Sequence, residues 1–123
     1  MKAGRTKSIV ELVDLFPTLA EFAGLKIPDK VQGRSLVPVL EDQGATVKES
    51  ALSFTGSGIA MRSKGWSYAR YRDGEEELYD MAKDPGQFTN LANDPAALTV
   101  LKIQRAAFDE RVKEAGVKMP SRK

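Results

Sequence analysis

Four cations and three aromatic residues crowd into eleven positions of this chain: Arg62, Lys64, Arg70 and Arg72, with Trp66, Tyr68 and Tyr71. An Arg held on a strand offers a planar, always-charged fork that donates two parallel hydrogen bonds to sulfate, phosphate or carboxylate. Aromatics interleaved with arginines on a sheet also suit stacking on single-stranded nucleic acid. The plainer reading is a half-buried sheet whose aromatic side faces a helix. A net charge of +2, from 19 Lys+Arg against 17 Asp+Glu, is too near neutral to favour a polyanion.

What the chain lacks narrows its chemistry further. It has no Cys and no His. That removes thiolate nucleophiles, disulfides, Cys-ligated zinc, and the commonest general base and metal ligand. A Ser-His-Asp or Cys-His device cannot be assembled from these residues. Carboxylates remain, but each has a simpler use. Glu75-Glu76-Glu77 follows a turn and reads as a solvated loop end. Asp14, a conceivable metal ligand or base, reads as a helix cap. Gly56-Ser57-Gly58 is too short for a phosphate loop, and Ser57 has no base near it in sequence.

The elements that must position these residues fall into two stretches. Ser8–Val13 is β-branched and reads as a strand, followed by a helix with Asp14 as cap, Pro17 in its first turn and Gly24 past its end. Leu15, Phe16, Leu19, Ala20, Phe22 and Ala23 form a wide apolar stripe, with Pro17, Thr18 and Glu21 on the remainder. Such a half-unit wants a parallel sheet to cover, and no second strand–helix alternation follows. A short helix near Leu36–Leu40 has Ser35 as its cap. Beyond it the spacing predicts an antiparallel meander with strands at 50–55, 59–63, 66–72 and 77–81. Lys64-Gly65 is the hairpin turn and Asp73-Gly74 the next one. Asp94-Pro95 opens a last helix whose core face is Leu98, Leu101, Phe108, Val112 and Ala115. Gly116 stops that helix, and residues 117–123 read as a frayed tail. No run of apolar residues is long enough to cross a membrane, and the basic start at 1–7 lacks the apolar stretch of a secretory signal.

Several segments, taken in order, resemble the C-terminal portion of sulfatases in the alkaline-phosphatase-like superfamily. They are Val10–Leu19 running on to Ala23-Gly24-Leu25, Gly33-Arg34-Ser35-Leu36 with Pro38 and Leu40, and Ala60-Met61-Arg62. The family's tail pattern follows in Trp66-Ser67-Tyr68, Gly74, Glu77-Leu78-Tyr79-Asp80, Asp84-Pro85 and Asn90-Leu91-Ala92. The likeness is greatest to the iduronate-2-sulfatase-like branch. Gln87 stands where that family usually has Glu, and the loop at Phe54–Gly58 is shorter than in that branch.

The resemblance implies an α+β arrangement. A late strand and helix of a large α/β domain, residues 1–44, precede a small four-stranded antiparallel sheet packed by a C-terminal helix, residues 45–123. It implies a parent enzyme that hydrolyses a sulfate ester on a carbohydrate, with a formylglycine nucleophile and a divalent metal, usually calcium. Both belong to a preceding N-terminal part, since no C/S-x-P-x-R motif occurs here. No catalytic and no metal-binding residue is therefore expected in this chain, which alone is expected to be inactive. Arg62, Lys64 and Trp66 are the residues expected to touch substrate. The expected partners are the N-terminal catalytic domain and a sulfated carbohydrate, with self-association of the isolated chain, and neither nucleic acid nor membrane. The parent is expected to be exported. A free-standing α+β module for an anionic ligand, or a nucleic-acid-binding sheet, stays open as an alternative.

Overall fold

The computed structural model describes residues 3–118. It divides into two compact units, 1–51 and 52–123. Residues 47 and 48 are tied into the first unit. There Arg34 Nη1 donates to the Val47 carbonyl at 2.8 Å and Lys48 forms ion pairs with Glu11 and Asp14.

In the first unit, Ser8–Val13 is not a ladder strand. Its backbone is extended at Glu11 (φ −130°, ψ 158°), then coils into a 3-10 turn at Leu12–Asp14. A strand exists only beside a partner, and none of the described strands runs along it. Instead Asp14 Oδ2 accepts the Glu11 N–H at 2.8 Å, which draws the chain into a capping box. Helix α1, Leu15–Phe22, follows with Pro17 in its first turn. It closes with Leu25 N–H on the Ala20 carbonyl (2.9 Å) and Gly24 N–H on the Glu21 carbonyl (3.0 Å), a Schellman pair. The Asp14 carboxylate makes no cap bond to α1.

The apolar stripe of α1 stays largely uncovered among the described residues, as expected of a helix that wants a sheet to cover, and of its residues Ala20 is buried. Pro17, Thr18 and Ala20 are buried, whereas Leu15, Phe16, Leu19 and Phe22 are more than half exposed, Leu19 at 66%. The segment carrying Gly33–Leu36 lies against that small face. A Cβ at Gly33 would sit 1.9 Å from the Val13 carbonyl oxygen, so only glycine lets the backbones approach this closely. Arg34 N–H then donates to Asp14 Oδ1 at 2.9 Å and Leu36 N–H to Thr18 Oγ1 at 2.9 Å. Helix α2, Val37–Glu41, has Leu36 at its cap position, one residue later than expected. Ser35 Oγ still accepts the Val37 N–H, at 3.2 Å. Val39 is its buried residue and Leu40 is exposed.

The second unit has the expected α+β architecture. Strands β1 (Ser50–Phe54), β2 (Gly58–Ser63), β3 (Trp66–Tyr71) and β4 (Glu76–Asp80) form one sheet in the order β1-β2-β3-β4. β2 and β3 pair antiparallel with Ser63 opposite Trp66, leaving Lys64-Gly65 as a two-residue hairpin with Gly65 at φ 81°. β3 and β4 pair antiparallel with Tyr68 opposite Leu78. The outer edge of β4 is covered by the segment at Asn90. Asn90 Oδ1 accepts the Leu78 N–H, its Nδ2 donates to the Glu76 carbonyl, and Leu91 N–H donates to the Leu78 carbonyl.

Asp94 caps the last helical stretch, accepting the Ala96 N–H at 2.8 Å over a 3-10 turn, Pro95–Ala97, that runs into α3, Leu98–Glu114. The 3-10 turn shifts the phase, so the buried face is Leu101, Gln104, Phe108 and Val112. Leu98, expected on it, is half exposed. Gln104 takes the place of an apolar residue, with Ser63 Oγ donating to its Oε1 at 2.9 Å. The core of this unit joins Ile59, Met61, Tyr68 and Leu78 from the sheet to Ala97, Leu101, Phe108 and Val112. Gly116 ends the helix as expected. Of the expected tail, residues 119–123 lie outside the described residues.

Candidate functional site

Strand alternation sorts the three residues expected to touch substrate. Met61 and Ile59 face the core, so Arg62, between Met61 and Ser63, faces the opposite side, level with Ser67 of β3. It is exposed, and no ion pair holds it among the described residues. Lys64 sits in the hairpin turn, also exposed. Trp66 belongs to the core side and is partly buried against the core cluster. The structure thus places Arg62 and Trp66 on opposite faces of one sheet, with Lys64 at the turn between them.

Of the neighbouring cations, Arg70 is already engaged. Arg70 Nη1 donates to Asp109 Oδ1 at 2.7 Å, and its Nε donates to Tyr68 Oη at 3.1 Å. The Arg70 guanidinium carbon stands 4.8 Å from the centre of the Phe108 ring, which meets Tyr68 edge-on at 5.1 Å. Of the three aromatics, Tyr68 and Trp66 lie on the helix-covered side and Tyr71 on the other.

Glu76 is the hub of this side, and the triple-Glu run is not simply a solvated loop end. Glu75 is exposed, but Glu76 and Glu77 open β4 and project to opposite faces. Glu76 accepts both Arg105 donors, Nε at 2.9 Å and Nη2, and also the Tyr68 hydroxyl. The Arg105 bonds hold its carboxyl below the usual carboxylate range against a weaker opposing effect of burial. Burial, reinforced by the bond to Glu76, pushes the Tyr68 hydroxyl up to about 12. On the other face Glu77 Oε2 accepts the Tyr71 hydroxyl at 3.1 Å. These contacts pin α3 to the sheet; they bring together no nucleophile and base.

A second charged centre lies in the first unit, and its cation carried no sequence signal. Lys48, 7% exposed, donates to Glu11 Oε2 and Asp14 Oδ1, both at 2.6 Å. Asp14 is fully buried. Burial alone would push its carboxyl up; the Lys48 bond and the N–H groups of Arg34 and Glu11 outweigh it and hold the carboxyl below its ordinary value. Two convergent carboxylates invite a divalent cation, but the ammonium of Lys48 already occupies the space between them. Among the described residues no group of three or more His, Asp or Glu side chains forms a cage for a metal ion.

At the hairpin end of the sheet the chain makes a further tight turn. Met81 N–H donates to the Gly65 carbonyl at 2.8 Å and Asp84 N–H to the Asp80 carbonyl at 2.7 Å. Both Asp84 carboxylate oxygens then accept backbone donors, Thr89 at 2.8 Å and Phe88 at 3.1 Å, and these bonds lower its carboxyl's affinity for a proton.

The comparisons with known proteins agree with an architectural reading. The family described as N-sulphoglucosamine sulphohydrolase, C-terminal, matches residues 1–114. A Delta 4,5-hexuronate-2-O-sulfatase of Bacteroides thetaiotaomicron is 36% identical over 110 residues, covering 81% of this chain and 23% of the relative. Arylsulfatase K of Mus musculus is 30% identical over 110 residues, covering 75% of this chain and 20% of the relative. A solved structure of a protein in complex with its substrate D-glucosamine-2-N,6-O-disulfate superposes with a TM-score of 0.75 at 26% identity, over 82% of this chain and 23% of that one. The chain spans about a fifth to a quarter of the length of the curated relatives it matches. It belongs to the sulfatase family, within the alkaline-phosphatase-like superfamily, and corresponds to the C-terminal portion of those enzymes.

Proposed function

We propose that this chain serves a sulfatase acting on a carbohydrate sulfate ester, as its C-terminal, non-catalytic part. The observation that carries this is the extent of the match: the family's C-terminal segment accounts for residues 1–114, while the chain covers only 23% and 20% of two relatives. The named action of the first relative on a hexuronate 2-O-sulfate supports a carbohydrate substrate. The formylglycine and calcium of the family do not fit these residues. There is no Cys and no C/S-x-P-x-R motif, and the carboxylates of Glu11 and Asp14 converge on Lys48, which neutralises them. Those groups belong to the catalytic part, which is the principal partner of this chain. Exposed Leu15, Phe16, Leu19 and Phe22 are the surface by which α1 seats on it.

In the intact enzyme Arg62 is the residue that reaches substrate, with Lys64 beside it and Trp66 supporting the hairpin from the core side. Arg62 is exposed on a strand, which holds a fork more firmly than a loop does. The test is kinetic. The 123-residue chain alone should turn over no aryl sulfate with or without calcium, whereas the reading frame that includes the upstream C/S-x-P-x-R motif should. In that longer enzyme Arg62→Ala should raise KM with an unchanged melting temperature. Turnover by the short chain that survives repurification would defeat the reading, as would an upstream frame without that motif.

A further inference from the structure

The buried face of α3 carries an amide that packing alone would not choose. Gln104 is 8% exposed and shares that face with Leu101, Phe108 and Val112. A leucine there would bury apolar surface and bring no amide to desolvate. A buried amide is tolerated where it is bonded, and the bond here is specific: Ser63 Oγ donates to Gln104 Oε1 at 2.9 Å. Ser63 ends β2 and follows Arg62 directly. Its side chain turns towards α3 while that of Arg62 turns to the opposite face.

The same hairpin is tied a second time. The Met81 N–H, just past β4, donates to the Gly65 carbonyl at 2.8 Å. A connecting turn is ordinarily among the more mobile parts of a fold. This one is held at Ser63 and at Gly65 by bonds that come from outside the hairpin. The helix does not depend on Gln104 for its seat. Arg105 binds Glu76, Asp109 binds Arg70, and Leu101, Phe108 and Val112 fill the core. What the Ser63 bond adds is direction. Apolar contact resists separation but lets surfaces slide, whereas a hydrogen bond weakens steeply as its angle departs from linear. It therefore fixes where β2 ends, one residue from the Arg62 backbone.

Resting on the reading of Arg62 as the residue that reaches substrate, we propose that Gln104 is a positioning residue, which through Ser63 holds the end of β2 and with it the aim of the Arg62 fork. The experiment is a double-mutant cycle in the longer enzyme, with a heparin-derived 2-O-sulfated disaccharide as substrate. Ser63→Ala combined with Gln104→Met makes both partners apolar, a replacement that leaves stability nearly unchanged. This pair should melt with the wild type and raise KM about threefold with kcat little changed. In an Arg62→Ala background the same pair should add nothing to KM, because the fork it aims is gone. Ser63→Thr keeps the hydroxyl and should keep the wild-type KM. A wild-type KM for the Ser63→Ala/Gln104→Met enzyme overturns the assignment, as does an effect that adds in full to that of Arg62→Ala. A melting temperature several degrees low would show that the bond serves the core, and overturns it too. If Arg62→Ala raises KM while the pair does not, Gln104 is excluded and the reading of Arg62 stands. If Arg62→Ala leaves KM unchanged, that reading falls and takes this one with it.

Discussion

Removing the Lys48 ammonium should open the first unit, and the direction of its pH dependence should reverse. Lys48 Nζ lies 2.6 Å from both Glu11 Oε2 and Asp14 Oδ1, and Asp14 is fully buried. Lys48→Met keeps the apolar stem and deletes the charge, leaving a buried carboxylate without its cation. Breaking a buried pair from one side costs about 3–5 kcal/mol. Here two N–H donors stay on Asp14 and Glu11 has a path to water, so the lower end, about 3 kcal/mol, is expected. The sign of the pH effect follows from the proton count. In the wild type the Asp14 carboxyl is depressed on folding, so its stabilisation is present above the unfolded value and is lost as pH falls through the folded one. Without Lys48 the opposing effect of burial dominates and the carboxyl is raised. The folded variant then binds the extra proton, and acidification from pH 7 towards about 4.5 should stabilise it relative to wild type. Adding Asp14→Asn to Lys48→Met removes the orphaned charge and should recover part of the loss. Amide hydrogen exchange at Arg34, Leu36 and the α1 residues, read at both pH values, measures these differences. A Lys48→Met protein within about 1 kcal/mol of wild type at pH 7, or one whose deficit grows on acidification, would refute the reasoning.

Gly33→Ala should destabilise the same unit by at least about 2 kcal/mol, because the new methyl would collide with backbone at Val13; unchanged exchange of the Arg34 and Leu36 amides would contradict this. Leu19→Glu should suppress dye binding and self-association of the isolated chain without lowering its melting temperature, since Leu19 is 66% exposed; light scattering that still shows oligomers would place the sticky surface elsewhere. Glu76→Gln should cost about 1.5 kcal/mol, a value discounted for the partly exposed Arg105, and chemical denaturation followed by Trp66 fluorescence should show it. Because the Glu76 carboxyl is depressed on folding, the wild-type advantage over this variant should be full above its ordinary value and shrink as pH falls through the folded one; a constant gap down to pH 3 would count against the Arg105 bond.

The second unit was legible wherever local rules decide. Lys64-Gly65 and Asp73-Gly74 mark turns by their own conformational needs, and Asp94-Pro95 announces a cap. The long-range electrostatics were not legible. Lys48 lies 34 residues from Asp14, and an isolated lysine between Val47 and Glu49 looks like surface. Glu76 was hidden inside a run of three glutamates. Its role emerges only because β4 starts at Glu76, which turns that one side chain towards Tyr68 and Arg105. The exposed stripe of α1 was legible, but the bonding of its other side through Asp14 and Thr18 was not. Periodicity identifies an apolar face but not what covers it, and in this chain the covering surface is not among the described residues. Of the expected substrate residues, Arg62 stands on the strand that matches the family segment, and Lys64 and Trp66 follow at the hairpin. Strand alternation divides them between two faces.

The first unit shows why two separated segments behave as one signature. Asp14 and Thr18 are one helical turn apart, about 6 Å along the axis at 1.5 Å per residue. Arg34 and Leu36 are two residues apart in a stretch without helix, about 6.6 Å when extended. The two spacings nearly match, so both N–H groups meet both side-chain acceptors at once, each at 2.9 Å. Thr18 Oγ1 is itself fixed by donating to the Asp14 carbonyl at 2.6 Å, and Gly33 admits the approach. This stitch requires a polar pair on the very side of α1 that a hydrophobic-stripe argument assigns to solvent. Once that side is bonded to its own chain, the apolar side is left free to face another body. Asp14 and Thr18 thus hold the connecting segment, while Leu15, Phe16, Leu19 and Phe22 stay exposed on the other side.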